Sequence, residues 1–264
     1  LIDSLRVHHR PYLHLDLGNF ASTRAVVGDT VTQFIWSTME KMDVAATTPG
    51  PHELEHWPLL KQFIAAGTVP VISSNLTYQE NGVEKPLGEP YRIVTENGLK
   101  VALFGLIGGN QFSTARLPQD ADISFKDPTL VATDLVPKLR KQADIVVLMS
   151  EMSTQDTDRL VADIPGIDVA LYGNLPPWVP RAEKIKDTIV NKTGARGQYL
   201  GELILIVDPA GKIIDFGSEN AQLNEAFPED PDIANQVSDL EAEETRIRDQ
   251  RRGQTTEQSQ RLSH

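Results

Sequence analysis

The sequence contains no cysteine. That absence removes disulfides, thiolate metal sites, covalent attachment of c-type haem and cysteine nucleophiles together. Nor does any apolar run approach the roughly 20 residues that a membrane-spanning helix needs, and the stretch Leu200 to Val207 is interrupted by Gly201 and Glu202. Positive charge is scarce, with 25 Lys and Arg against 37 Asp and Glu and a formal net charge of -12. This balance opposes the counterion release that drives binding to phosphate backbones, so nucleic acid and anionic lipid are not expected as partners. Histidine is restricted in position: His8, His9, His14, His52 and His56 precede a gap that lasts until His264. The chain opens at Leu1 without a charged and then apolar leader, and it reads as a processed or trimmed product.

What is present suffices for one large domain, since 264 residues at 40% hydrophobic content can bury a substantial core. Tyr12 to Leu17 and Val44 to Ala46 read as short buried strands. Between them Val31, Phe34, Ile35 and Met39 fall near the three-and-four spacing of one helix face. Leu59, Leu60, Phe63 and Ile64 repeat the pattern before a strand at Val69 to Ser73. Asn97-Gly98 marks a tight hairpin between Tyr91 to Thr95 and Lys100 to Gly105, which makes the sheet mixed. Asp127-Pro128 opens a helix through Leu139. Strands then follow at Ile145 to Met149 and Val169 to Tyr172, with a helix at Thr157 to Ala162 between them. Thr188 to Val190, Leu200 to Val207 and Lys212 to Phe216 complete the strands, the last two joined by Asp208-Pro209-Ala210-Gly211. Beyond Pro231 the apolar residues thin to Ile233, Val237, Leu240 and Ile247 at heptad-like offsets, the pattern of one amphipathic helix. The expected organisation is a domain over 1–220, a linker and helix over 221–252, and a frayed polar tail over 253–264.

From Asp3 to Phe216 the order of segments resembles the 5'-nucleotidase branch of the calcineurin-like metallophosphatases. Leu13-His14-Leu15-Asp16-Leu17-Gly18-Asn19-Phe20 is similar to the family strand ending in Asp-x-Gly-Asp. Met42-Asp43-Val44 leading to Gly50-Pro51-His52-Glu53 is similar to its approach to Gly-Asn-His-Glu. Pro70 to Leu76, Asn97 to Leu106, Ala143 to Leu148, Pro165 to Val169 and Gly194 to Gly201 follow in family order. The resemblance implies an α/β fold, a four-layer sandwich of two mixed β-sheets flanked by helices, plus the C-terminal amphipathic helix. It also implies an active site on the loops after the strand ends, where two divalent cations bridged by a carboxylate generate the attacking hydroxide.

Matched residue by residue, the family's bridging aspartate falls on Asn19 and its asparagine ligand on Pro51. The histidine after Ile145 to Met149 falls on Glu151, and the paired histidines of Gly-His-x-His fall on Asn174 and Pro176. His52 keeps the family's assisting histidine as a vestige. The family's first pair, an Asp-x-His, would lie before Leu1, so the opening strand reads as missing. The expectation is therefore a non-catalytic, pseudoenzyme domain with no metal and no cofactor, acting as a structural or protein-binding subunit. The alternative is a metal-dependent phosphoesterase or 5'-nucleotidase-like hydrolase with an altered metal site. Ile233, Val237, Leu240 and Ile247 are the expected contact with a protein partner or neighbouring domain. Domains of this branch also occur beside or fused to multihaem cytochromes in bacteria, so the resemblance implies such a cytochrome as one partner class and a periplasmic or extracellular location.

Weaker signals read as structure. His14 alternates with Leu13 and Leu15 and is expected to be hydrogen-bonded internally, not part of a clip with His8 and His9. His52-Glu53-Leu54-Glu55-His56 has the zincin spacing, but Pro51 and Pro58 bracket a short turn. Gly194-Ala195-Arg196-Gly197 is a turn before a strand, without the lysine of a phosphate loop. Asn75-Leu76-Thr77 and Asn191-Lys192-Thr193 match glycosylation sequons.

Overall fold

The computed structural model describes residues 2, 11–24, 27–174 and 177–262, with side chains placed up to residue 250. His8, His9, His264 and Pro176 lie outside the described residues. In chain order the elements begin with β1 (Leu15–Asp16), α1 (Gly28–Lys41), β2 (Ala46–Thr47), α2 (Pro51–Glu55) and α3 (Trp57–Ala66). β3 (Leu76–Glu80), β4 (Val83–Pro86), β5 (Arg92–Glu96), β6 (Leu99–Ile107), α4 (Gly109–Thr114), β7 (Ile123–Phe125) and α5 (Pro128–Leu139) follow. The remainder comprises β8 (Ile145–Glu151), α6 (Thr154–Asp163), β9 (Val169–Tyr172), β10 (Glu183–Ile185), β11 (Thr188–Asn191), β12 (Tyr199–Val207), β13 (Ile213–Gln222) and α7 (Pro231–Leu262).

A six-stranded mixed sheet in the order β10-β11-β9-β8-β6-β5 forms the centre. Its strands β6, β8 and β9 run parallel, and β8 is buried along its whole length, which explains its unbroken apolar reading from Ile145 to Met149. Alternation along β6 sends Ala102, Phe104 and Leu106 to one face, where they meet Ala132, Val136 and Leu139 of α5 and Leu160 and Val161 of α6. Val101 and Leu103 go to the other face, against Ala46, Ile72, Leu15, Leu203, Leu205 and Phe216. A second layer thus lies on the central sheet, and α1 and α3 cover part of its outside through Trp36, Met39, Leu60 and Phe63 over Val44, Val69 and Val71. The order of layers is helix, sheet, sheet, helix.

Among the described residues the second layer is not one continuous sheet. It consists of a parallel pair, β1-β2, and an antiparallel pair, β12-β13, while Val71 and Ile72 join by single bridges to Thr47 and Glu89. The strand expected over Val69 to Ser73 is reduced to those bridges. β4-β3-β7 forms a further three-stranded sheet whose turn at Asn81-Gly82 has the same left-handed pair of residues as Asn97-Gly98. The first of these hairpins thus carries the same Asn-Gly signal in its sequence as the second.

The helices follow their local chemistry. Asp127 caps α5 by accepting from the Leu130 N–H at 3.0 Å, and Pro128 occupies the first turn. In α1 the buried residues are Gly28, Thr32, Trp36 and Met39, while Val31 and Phe34 are only partly buried. The face is rotated because Trp36 stacks on Phe63 with ring centroids 4.2 Å apart. At the C-terminus, where a polar tail was expected over 253–264, α7 runs on as helix through Leu262. The long polar helix lacks an apolar period after Ile247, and this is why periodicity ended the element too early.

Candidate functional site

The ends of β1 and β8, the loop after β1 and the first turn of α2 converge at one edge of the two layers. After β1 the chain turns sharply, with Asp16 Oδ1 accepting from the Gly18 N–H at 2.9 Å and from the Thr47 hydroxyl at 2.6 Å. Burial raises the Asp16 pKa above its ordinary value, and these two bonds oppose the shift. Asn19 then adopts a left-handed backbone with φ of 56°, a conformation in which asparagine is several-fold enriched.

Glu53 organises the turn. It is 2% exposed, and its carboxylate accepts from the backbone N–H groups of Ala21 at 2.6 Å, Asn19 at 2.8 Å and Gly50 at 2.8 Å. Burial pushes its pKa up to about 7 despite these bonds. From the other layer Glu151, 0% exposed at the end of β8, receives the Asn19 side-chain amide: Nδ2 donates to Oε2 at 2.5 Å. Its second oxygen, Oε1, has no hydrogen-bond partner among the described residues. That oxygen lies against Gly173, where an added Cβ would come within 2.3 Å of it. Burial first, and then the charges of Glu53 and Asp16, hold the Glu151 carboxyl well above the usual carboxylate range.

The positions singled out in the sequence are thus partly brought together. Asn19 and Glu151 touch directly, and Asn19 Oδ1 also accepts a long bond of 3.4 Å from the His52 N–H. Pro51 opens α2 and offers no side-chain donor. Asn174, partly buried, follows Gly173. Among the described residues, no group of three or more His, Cys, Asp or Glu side chains is placed to hold a metal ion.

The zincin spacing has no catalytic geometry here. α2 ends at Glu55, and His56 is the break before α3, bonded through Nδ1 to Asp29 at 2.8 Å and through Nε2 to the Ser22 carbonyl at 3.0 Å. His14 is internally bonded, its Nδ1 3.2 Å from the Met42 carbonyl. Both sequon asparagines are closed to modification in the folded chain: Asn75 is 0% exposed and Asn191 2%. Sequence reasoning missed the clamp made by Glu53, and no signal in a single chain announces the Asn19–Glu151 bond across 132 positions.

On α7, Ile233, Leu240 and Ile247 are half-buried and Val237 is exposed. Glu244 of that helix pairs with Arg24 at 2.6 Å, so the helix contacts the body of its own chain there. No described helix is long and apolar enough to cross a membrane.

No family profile matches the chain. Individual relatives do. The protein UshA of Yersinia enterocolitica is 30% identical over 131 residues, which cover 48% of this chain and 23% of that protein. A snake venom 5'-nucleotidase of Crotalus adamanteus is 24% identical over 278 residues, 90% of this chain and 44% of that one. The chain therefore spans less than half the length of these relatives. Among solved structures, the 5'-nucleotidase precursor of Thermus thermophilus superposes with a TM-score of 0.79 at 21% identity, covering 90% of this chain and 51% of that one. The calcineurin-like phosphoesterase YfkN of Bacillus subtilis gives 0.73 at 17% identity, covering 94% and 88%. The chain has the fold of the calcineurin-like metallophosphatases and, over most of its length, resembles the 5'-nucleotidase branch of that superfamily.

Proposed function

We propose that the domain does not assemble a binuclear metal centre and serves as a structural or protein-binding subunit. The observation that carries this reading is the 2.5 Å bond from Asn19 Nδ2 to Glu151 Oε2. Two positions that hold metal ligands in the resembled family here satisfy each other. The remaining donors do not fit two divalent cations. Pro51 has none, Asn19 and Asn174 are neutral amides, and Glu53 and Asp16 spend oxygens on backbone N–H groups and the Thr47 hydroxyl. A buried carboxyl whose pKa is raised, as at Glu151, favours the neutral form and is a poor ligand until deprotonated. Fold does not carry activity by itself.

The second reading, a phosphoesterase with an altered oxygen-rich site, draws on the unpartnered Oε1 of Glu151 and on the enzymes among the relatives. One experiment separates the two. Purified protein is assayed for bound metal by elemental analysis and for hydrolysis of nucleotides and aryl phosphates with added manganese, zinc or cobalt. The expected result is no stoichiometric transition metal and no turnover above a His52→Ala control. Chelator-sensitive hydrolysis above that control selects the phosphoesterase.

The partner surface in this reading is α7, through Ile233, Val237, Leu240 and Ile247, with the Arg24–Glu244 pair joining the helix to the body of its own chain. Deleting residues 231–264 is expected to leave the core folded and to remove binding to the partner. Unchanged partner binding by the truncated chain rejects the helix as the surface. We place the protein in a periplasmic or extracellular setting, in line with a relative found in venom.

A further inference from the structure

The β12-β13 hairpin is the half of the second layer that α1 and α3 do not cover. Leu203, Leu205, Ile213 and Phe216 face the central sheet. Alternation sends Ile204 and Ile206 to the outside, where they are 45% and 48% exposed. Ile214, the residue skipped where the register shifts beside Ile206 and Val207, is 62% exposed. Gly217 pairs with Ile204 on the same outer face, and a Cβ added there would meet nothing within 4 Å. The result is an apolar strip beside bare backbone, at the surface of a chain with net charge -12.

We propose that this face pairs with the same face of a second copy of the chain across a two-fold axis. β13 is complementary to itself. Lys212 is exposed at its turn end, Glu219 is exposed toward its far end, and Ile214 and Gly217 lie between. Laying one β13 antiparallel over another about Phe216, since the skipped Ile214 takes one step out of the strand, brings Lys212 over Glu219 of the second copy. The same placement sets Ile214 beside Gly217 of the second copy, an aliphatic side chain against open backbone. Two-fold symmetry makes each contact occur twice. A parallel arrangement stacks Glu219 on Glu219 and Ile214 on Ile214 and offers neither match. Asp215 opposes the pairing because it lies near the axis, close to its own copy. Its carboxylate accepts from the Phe216 N–H at 2.9 Å, which draws it down onto its own strand.

The test is sedimentation velocity and light scattering of the full chain over a range of concentrations, with circular dichroism to confirm that each variant is folded. A concentration-dependent dimer is expected, abolished by Ile214→Asp. Lys212→Glu is expected to weaken it by roughly tenfold or more, because both symmetric ion pairs become repulsive. The double swap Lys212→Glu with Glu219→Lys is expected to restore it, and Asp215→Asn to tighten it. A chain that stays monomeric at the highest concentration overturns the proposal, as does a dimer indifferent to the charge swap. A dimer that survives Ile214→Asp and disappears on deletion of residues 231–264 assigns the contact to α7 and overturns it as well. Because this readout is assembly, it stands or falls independently of whether the domain hydrolyses phosphate.

Discussion

Asn19 gives Glu151 a neutral N–H donor where a carboxylate would give it a second negative charge. Replacing Asn19 by Asp removes that donor and crowds a further acidic group against the buried Glu151, beside Glu53 and Asp16, so that the pair must share a proton or bury two charges. We expect Asn19→Asp to lower stability at neutral pH by about 1–3 kcal/mol, the usual penalty for a buried polar group left unsatisfied. We also expect it to create no hydrolytic activity, since a bridging group helps only when the other ligands are present. Urea unfolding and a phosphatase assay of the same preparation check both halves. Glu53 makes a separate prediction with a definite sign. Its folded pKa of about 7 lies above the ordinary glutamate value of 4.5, so its protonated form is favoured by the fold. That contribution is complete below about pH 4.5 and is lost as pH rises through 7, amounting to about 3 kcal/mol. Wild-type stability should therefore fall over this window more steeply than that of Glu53→Gln, and parallel slopes reject the assignment. The resemblance singled out positions 19 and 151 in the sequence. It could not give their contact, because residues 19 and 151 meet only after β1 and β8 are laid in different layers.

Among the elements, those with local chemistry were the readable ones. Asp127-Pro128 announces α5, Asn97-Gly98 announces the β5-β6 hairpin, and Val169–Tyr172 stands in the structure as read. β1 and β2 shrink to two residues each, since pairing over Tyr12 to Leu17 and Val44 to Ala46 depends on neighbours far along the chain. α7 is the opposite case, a helix set by propensity and charge more than by burial. Asp232, Asp239, Glu241, Glu243 and Glu244 fall in its first half beside a single Arg246, while Arg248, Arg251, Arg252 and Arg261 outnumber Asp249 and Glu257 in its second. This order complements the helix macrodipole, and Glu243 with Arg246 and Glu244 with Arg248 add pairs along it. Gly253 interrupts the run of better helix formers. Gly253→Ala is expected to stabilise the helix by about 1 kcal/mol, read as stronger ellipticity at 222 nm. Raising the salt concentration should weaken the signal of both forms, because exposed charge pairs are screened.

At the scale of the whole molecule, two layers of strands meet with very little room. At Gly105 on β6 an added Cβ would come 2.4 Å from the Ile72 carbonyl and 2.5 Å from the Thr48 hydroxyl. Gly105→Ala must therefore move one layer against the other. We expect a loss of about 1–3 kcal/mol from overpacking, seen as a lower urea midpoint with little change in the slope of the transition. The layered architecture itself followed from the order of segments and not from any one strand. Its broken second layer did not, because the sequence shows which residues are apolar but not where the hydrogen bonding between strands is interrupted. The Asn19–Glu151 contact carries a consequence for the descent of such a chain. On the proposed reading, each residue has become a condition for the other. Aspartate restored at 19 strands Glu151 against a like group, and histidine restored at 151 removes the carboxyl that the amide now serves. A lineage holding this pair must pass through less stable intermediates before it can rebuild a ligand set, so the loss is entrenched by folding even where selection for catalysis returns.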